Sequence, residues 1–271
     1  MAGVPESLIR TGDGVTSYRV EGAGPPLFLL HGLQIGQELF DRLRVHLQAS
    51  FTVITYDQRD RGNTTFEPAP YTVADLADDL ASLIEALGYS SANVLGTSFG
   101  GMVAQSFALR HANLLDGLVL GATSQALFRP DRVAGPVADL LAALEDGDDE
   151  RARGFLARLV PAASSTSVSQ RVVGEQDRSG ALLRRFGATR AFNTSGRLGA
   201  ITAETLVIHG RDDSAVPHSD ALSLAAEIRN ADLLFLAKCG HSWENERPAR
   251  AAAAIASFLI GIYSADATSV T

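Results

Sequence analysis

Cysteine is almost absent from this chain: Cys239 is the only one in 271 residues. No disulfide can form within one chain, a reducing compartment is the natural setting, and the cytoplasm is the expected location. Lysine is as scarce, since Lys238 stands alone and the other positive charges are arginines. The 23 basic residues face 31 acidic ones, a net charge of −8. That balance, with no basic stripe, argues against nucleic acid and anionic membrane as partners. Long apolar runs are missing too. The uncharged stretch 86–109 is interrupted by glycines and by Asn93 and Gln105, and the stretch 251–265 is too short to span a bilayer. The first ten residues lack the apolar centre of a secretion signal. Metal-ligand spacing is also missing among the His, Asp, Glu and Cys residues, so neither metal nor cofactor is expected. Gly22-Ala23-Gly24 opens no helix and reads as a turn, not a phosphate cradle.

What remains is a globular composition, 46% hydrophobic and 20% charged, enough to bury a sizeable core. Strand-like and helix-like segments alternate along it. Residues 8–10 and 15–21 read as a hairpin around Gly12-Asp13-Gly14. Residues 27–30 form a continuous apolar run, the pattern of a strand buried on both faces. Phe40, Leu43 and Leu47 have helical spacing, and 51–56 reads as a strand. Residues 72–87 predict a helix, opened by a Thr72/Asp75 capping box and ended by Gly88. Strands follow at 92–95 and 118–121, with a helix at 102–110 between them. The alternation resumes with strands at 205–209 and 233–236 and helices at 219–228 and 249–260.

This rhythm predicts an α/β fold with a mainly parallel sheet flanked by helices. It breaks between about 125 and 200, where no strong strand is found. Helices are expected at 137–144, 151–159 and 181–192, around an acidic loop at 145–150 and a Ser/Thr-rich stretch at 164–169. The economical organisation is a core of residues 1–124 and 201–271 with a helical cap, 125–200, inserted over the site.

The stretch that organises the chain is Gly96-Thr97-Ser98-Phe99-Gly100-Gly101. It joins a strand to a helix, and its glycines permit a turn tight enough to thrust the Ser98 hydroxyl outward. A serine there also sits at a helix N-terminus, where main-chain N–H groups favour developing negative charge. The hydroxyl needs a base, and the base needs an orienting acid. In open α/β sheets such groups lie at the carboxyl ends of strands. Asp213 follows the strand 205–209 and His241 follows the strand 233–236, in the chain order Ser98, Asp213, His241. His46, His111, His209 and His218 show no partner pattern, and Cys239 reads as a small buried apolar residue.

With these residues in hand, the chain resembles the α/β-hydrolase superfamily over essentially its whole length. The matching pieces are His31-Gly32, Asp57-Gln58-Arg59 with Gly62, the Ser98 turn, Gly210-Arg211-Asp212-Asp213 with Pro217, and Gly240-His241. The resemblance implies an eight-stranded sheet and selects Asp213 over Asp212. It assigns the oxyanion donors to the main-chain N–H groups of Leu33 and Phe99. It places His31, Gly32 and Trp243 at the substrate, with His31 structural and not a base. Asp60-Arg61 departs from the common pattern and is expected to form a local ion pair.

The likeness is to small bacterial esterases, enol-lactonases and methylesterases, so hydrolysis of a small-molecule ester or lactone is expected. A carbon–carbon bond hydrolase, a cofactor-free lyase or oxygenase, and a slow-turnover ligand receptor stay open. So does a homodimer. The segment 125–200 holds eleven arginines, one of which could hold a substrate carboxylate.

Overall fold

Successive residues of the central strands point to opposite faces, and each face is buried in its own core. Leu27, Leu29, Val53, Leu95, Val119, Leu206 and Ile208 belong to one cluster. Their sequence neighbours Phe28, Leu30, Ile54, Val94, Leu118, Leu120 and Val207 belong to the other. Each such side chain contributes about 1.5–3 kcal/mol of hydrophobic stabilisation. The two cores explain why these segments read as unbroken apolar runs and not as alternation.

The computed structural model describes residues 4–127 and 180–268, together with scattered positions between 139 and 154. Its strands are β1 (Ser7–Thr11), β2 (Gly14–Glu21), β3 (Pro26–Leu30), β4 (Thr52–Tyr56), β5 (Ala92–Thr97), β6 (Leu115–Gly121), β7 (Glu204–Gly210) and β8 (Ala231–Leu236). They form one eight-stranded sheet in the order β1-β2-β4-β3-β5-β6-β7-β8. β2 is antiparallel to β1 and β4, and every other pairing is parallel. The expected α/β-hydrolase architecture is therefore present.

Helices cover both faces. α2 (Val73–Ala86), α3 (Phe99–Arg110) and α5 (His218–Glu227) carry residues of the Phe28 core. α1 (Asp41–Leu47), the short α6 (Trp243–Glu246) and α7 (Pro248–Thr268) carry those of the Leu27 core. α2 starts as predicted: Thr72 Oγ1 accepts from the Asp75 N–H, and the Asp75 carboxylate accepts from the Thr72 N–H at 2.7 Å. Residues 122–203 connect β6 to β7, and α4 (Ala181–Ala188) lies among them. The helices predicted at 137–144 and 151–159 lie largely outside the described residues, as do the Ser/Thr-rich stretch and most of the proposed cap. Among the described residues, no helix is long and apolar enough to cross a membrane.

The strand order places the site. After β3 the chain adds β4 on one side, then returns to add β5 on the other. The two connections leave in opposite directions, so a crevice opens beyond the carboxyl ends of β3 and β5. α3 packs against that crevice at contact distance. A Cβ on Gly100 would overlap the Leu30 carbonyl, and one on Gly96 would overlap the Gly100 carbonyl. These obstacles are main chain and cannot swing aside. We predict that Gly100→Ala lowers unfolding stability by about 1–3 kcal/mol or more, whereas Gly187→Ala on α4, where a Cβ meets nothing within 4 Å, is neutral or stabilising by about 0.5–1 kcal/mol. Chemical denaturation of the two variants beside the parent measures both; equal losses would refute the packing argument.

Candidate active site

Ser98 has φ 54° and ψ −119°, a conformation that a residue with a Cβ adopts only under constraint. The constraint is visible on both sides. Its N–H donates to the Gly121 carbonyl at 2.8 Å. Its carbonyl accepts from the Gly101 N–H at 2.9 Å and from Thr123 Oγ1 at 2.7 Å. α3 begins at the next residue, one turn earlier than the 102–110 helix predicted from the sequence. The Phe99 N–H therefore sits at the helix N-terminus beside the hydroxyl.

His241 lies beyond β8, and its Nε2 is 3.1 Å from Ser98 Oγ. Its Nδ1 is 2.8 Å from Asp213 Oδ2. A carboxylate accepts only, so Nδ1 carries the proton and Nε2 of the neutral ring is free to accept from the serine. Asp213 is held in turn, its Oδ1 accepting from the Ala215 N–H at 2.8 Å and the Val216 N–H at 2.9 Å. The Asp213 side chain is fully buried. Burial raises its pKa, but the His241 bond, the His241 charge and the two amides outweigh that, so it stays below the ordinary carboxylate value. Burial likewise pulls His241 down, yet Asp213, Glu244 and Glu246 lift it net above the usual imidazole value.

The three sequence-selected residues Ser98, Asp213 and His241 thus meet in one hydrogen-bonded chain. Gly32 borders the serine, since a Cβ built on it would lie 3.9 Å from Ser98 Cβ. His31 is completely buried and braces the loop: the Gln58 N–H donates to its Nε2 at 3.0 Å, so its Nδ1–H donates to the Gly32 carbonyl at 2.8 Å. Burial holds it neutral, well below the ordinary histidine range. His31 is accordingly a structural brace and does not line the pocket.

Trp243 requires a correction. It was expected at the substrate, but it is wholly buried in the Leu27 core, with its indole against Gly121 and its Nε1–H donating to Thr97 Oγ1 at 3.1 Å. An indole is large and apolar, and two residues past the histidine the chain has already turned into the core. Asp60 forms a bidentate ion pair with Arg184 of α4.

Three residues were missed. His209 shows no partner pattern in the sequence, yet its Nε2 lies 3.5 Å from Asp213 Oδ2 and 3.0 Å from the Val216 carbonyl. His111, equally without a pattern, pairs with Asp78 at 2.7 Å. Arg185, one of the eleven arginines, is only 1% exposed. Its guanidinium donates to the carbonyls of Leu33 (2.8 Å), Arg59 (2.7 Å) and Gly32 (3.1 Å). His209 stands four residues before Asp213 in the sequence, whereas no local pattern signals His111 or Arg185. Among the described residues, no group of three or more His, Cys, Asp or Glu side chains is set to hold a metal ion. Cys239 is buried and its thiol is pushed up to about 12 by burial, the state of an inert core residue. A cavity of about 280 Å³ lies elsewhere, between α2, α3 and residues 188–197, and touches none of the groups around Ser98.

This fold and this site define a hydrolase-type α/β protein. The sequence pattern of the alpha/beta hydrolase fold matches residues 25–243, and the chain belongs to that family. It is 34% identical over 239 residues to a protein of Variovorax paradoxus named "Putative carbamate hydrolase RutD", covering 83% of this chain and 88% of that one. Among solved structures it is similar to a hydrolase from Pseudomonas aeruginosa PA01, with 30% identity, TM-score 0.79 and coverage of 94% and 98% of the two chains. It is also similar to a thermophilic esterase from Thermogutta terrifontis, with 25% identity, TM-score 0.82 and coverage of 95% and 99%.

The electrostatics predict distinct titrations. Followed by ring-proton NMR, His241 titrates above 6.5, while His31 stays neutral throughout that range. Asp213→Asn moves the His241 midpoint down. The stability that His241 contributes is complete below 6.5 and is lost as pH rises through its raised value, whereas that of Asp213 is lost as pH falls through its lowered one. A His241 midpoint unmoved by Asp213→Asn would show that the pair is not electrostatically coupled.

Proposed function

We propose that this chain is a serine hydrolase that cleaves the acyl–heteroatom bond of a small molecule, a carboxylic ester or lactone in the first instance. The observation that carries this reading is the hydrogen-bonded chain from Ser98 through His241 to the buried Asp213. Ser98 Oγ attacks the carbonyl carbon as His241 Nε2 takes its proton. The resulting imidazolium is stabilised and oriented by Asp213. The tetrahedral oxyanion is received by the main-chain N–H groups of Phe99 and Leu33. His241 then returns the proton to the departing oxygen, leaving an acyl group on Ser98. Water, deprotonated by the same imidazole, releases the acid and restores the serine.

The same atoms accommodate a carbamate, where the first step leaves a carbamoyl group on Ser98. The name of the Variovorax relative brings that substrate class to the same test, as the Thermogutta neighbour's brings esters. A lyase or oxygenase that used His241 as a base would make no acyl-Ser98, and a receptor would not turn over.

The test is hydrolysis of short-chain p-nitrophenyl esters, simple lactones and aryl carbamates by the wild type and by Ser98→Ala. The expected result is turnover of at least one class, reduced about 10³-fold or more by Ser98→Ala. Asp213→Asn lowers kcat by about 10⁴-fold while leaving the fold intact. Equal rates in wild type and Ser98→Ala would end the serine-nucleophile reading.

A further inference from the structure

We propose that Arg185 is the positioning residue of the oxyanion site: it holds the Gly32–Leu33 peptide from its carbonyl side, so that the Leu33 N–H faces the reacting carbonyl. This rests on the Ser98 reading above.

The Gly32 carbonyl and the Leu33 N–H belong to the same amide, and no cis peptide bond is found among the described residues. In a trans amide the two groups point in opposite directions. Whatever fixes the carbonyl therefore aims the N–H. The Gly32 carbonyl accepts two hydrogen bonds, from Arg185 Nη2 at 3.1 Å and from His31 Nδ1 at 2.8 Å. Both of its lone pairs are occupied. Arg185 Nε also takes the next carbonyl, Leu33, at 2.8 Å, so successive peptide units are pinned from one centre. Its Nη1 reaches the Arg59 carbonyl at 2.7 Å and ties the loop to the end of β4.

Arg185 also touches the second donor's residue. Its guanidinium lies over the Phe99 ring, 4.7 Å from the centroid. One side chain thus contacts the residues of both donors. It comes from α4, which is itself anchored by the neighbouring Arg184–Asp60 ion pair.

A guanidinium that is 1% exposed is costly to bury. Burial pulls its pKa down to about 10, still far enough up to keep it protonated at neutral pH. Neutral donors would have served to brace a turn. A cation on the carbonyl oxygen does more, because it polarises the amide and makes the N–H at its other end a stronger donor. That gain is largest when the N–H meets an anion, which is the condition of the tetrahedral intermediate and not of the bound substrate. Arg185 should therefore govern kcat and leave KM nearly alone.

The experiment compares wild type, Ser98→Ala, Arg185→Lys and Arg185→Met in the full chain. Turnover is read with p-nitrophenyl acetate, and phenylboronic acid serves as the tetrahedral-anion probe. The expected result for Arg185→Met is a fall in kcat of about 10- to 100-fold, short of the 10²- to 10³-fold typical for outright loss of a donor. KM stays within about threefold, the boronate weakens in step with kcat, and Arg185→Lys recovers part of both. A loss confined to KM, or an unchanged boronate affinity, would overturn the proposal. If Arg185→Met does not fold, the wild type decides: in the structure of Ser98 phosphorylated by diethyl 4-nitrophenyl phosphate, the phosphoryl oxygen lies about 2.7–3.1 Å from the Leu33 and Phe99 nitrogens, with Arg185 still on the Gly32 carbonyl. A flipped Gly32–Leu33 peptide or a released Arg185 there would overturn it. Wild-type turnover abolished by Ser98→Ala but indifferent to Arg185→Met sinks this inference alone. Absence of both turnover and Ser98 labelling sinks the functional reading with it.

Discussion

The passage from β5 to α3 reverses the chain within a single residue, and the site depends on that reversal. Ser98 takes the strained conformation, and the strain is held by bonds to β6 and to the first turn of α3. Three glycines let the helix approach. Gly96 and Gly100 face main-chain carbonyls where a Cβ would overlap, and Gly101 faces the Thr123 side chain that bonds the Ser98 carbonyl. Strain of this kind costs about 1–3 kcal/mol and persists only where the surroundings over-determine it. Here the surroundings are the central strands of the sheet, whose residues are almost fully buried. The outward-turned hydroxyl and the helix N-terminus are thus consequences of the same packing.

Three histidines near the sheet's carboxyl edge show how one ring is put to different ends. His31 is sealed between two main-chain partners and kept neutral by burial. His209 flanks Asp213 from within β7; burial lowers its pKa, and its Nε2–H points to the Val216 carbonyl. It fits the outer side of the Asp213 loop without competing for the short bond. His241 alone has a carboxylate at 2.8 Å on one nitrogen and a hydroxyl at 3.1 Å on the other. Burial lowers all three; at His241 the close Asp213 contact, helped by Glu244 and Glu246, reverses the sign.

The sheet, its helices and the meeting of Ser98, Asp213 and His241 were legible because they follow from local rules. Unbroken apolar runs mark strands buried twice over, and strand ends limit where polar chemistry can gather. The two arginines of α4 escaped because their partners lie far away in the chain. Arg184 reaches Asp60 across 124 residues, and Arg185 reaches Gly32 across 153. Side-chain pattern says that α4 buries a face, but Leu183 and Phe186 would fill it by any apolar rule, and nothing local says that Arg185 lies buried between them. Trp243 failed for a related reason. Nearness in sequence to His241 suggested the pocket, whereas the α6 turn directs the indole to the far side of the sheet.

That misplacement shows what holds the histidine. The loop after β8 contains Lys238 at φ 53° and gives no regular structure until α6. It is nonetheless tied at several points. Trp243 is sunk in the core, Asn245 Nδ2 donates to the Leu39 carbonyl at 3.2 Å, and the Glu246 carboxylate accepts from the Gly240 N–H at 2.8 Å. Arg247 donates to the Lys238 carbonyl at 2.9 Å and closes the loop from its other end. An imidazole on a free loop would lose rotational entropy each time it met the serine. Here the anchors of α6 have already removed that freedom, so His241 stands between Asp213 and Ser98 before any substrate arrives. The same economy runs through the site: His31 and Arg185 fix one loop, Trp243 and Glu246 another, and the side chains at the centre are left little to reorganise.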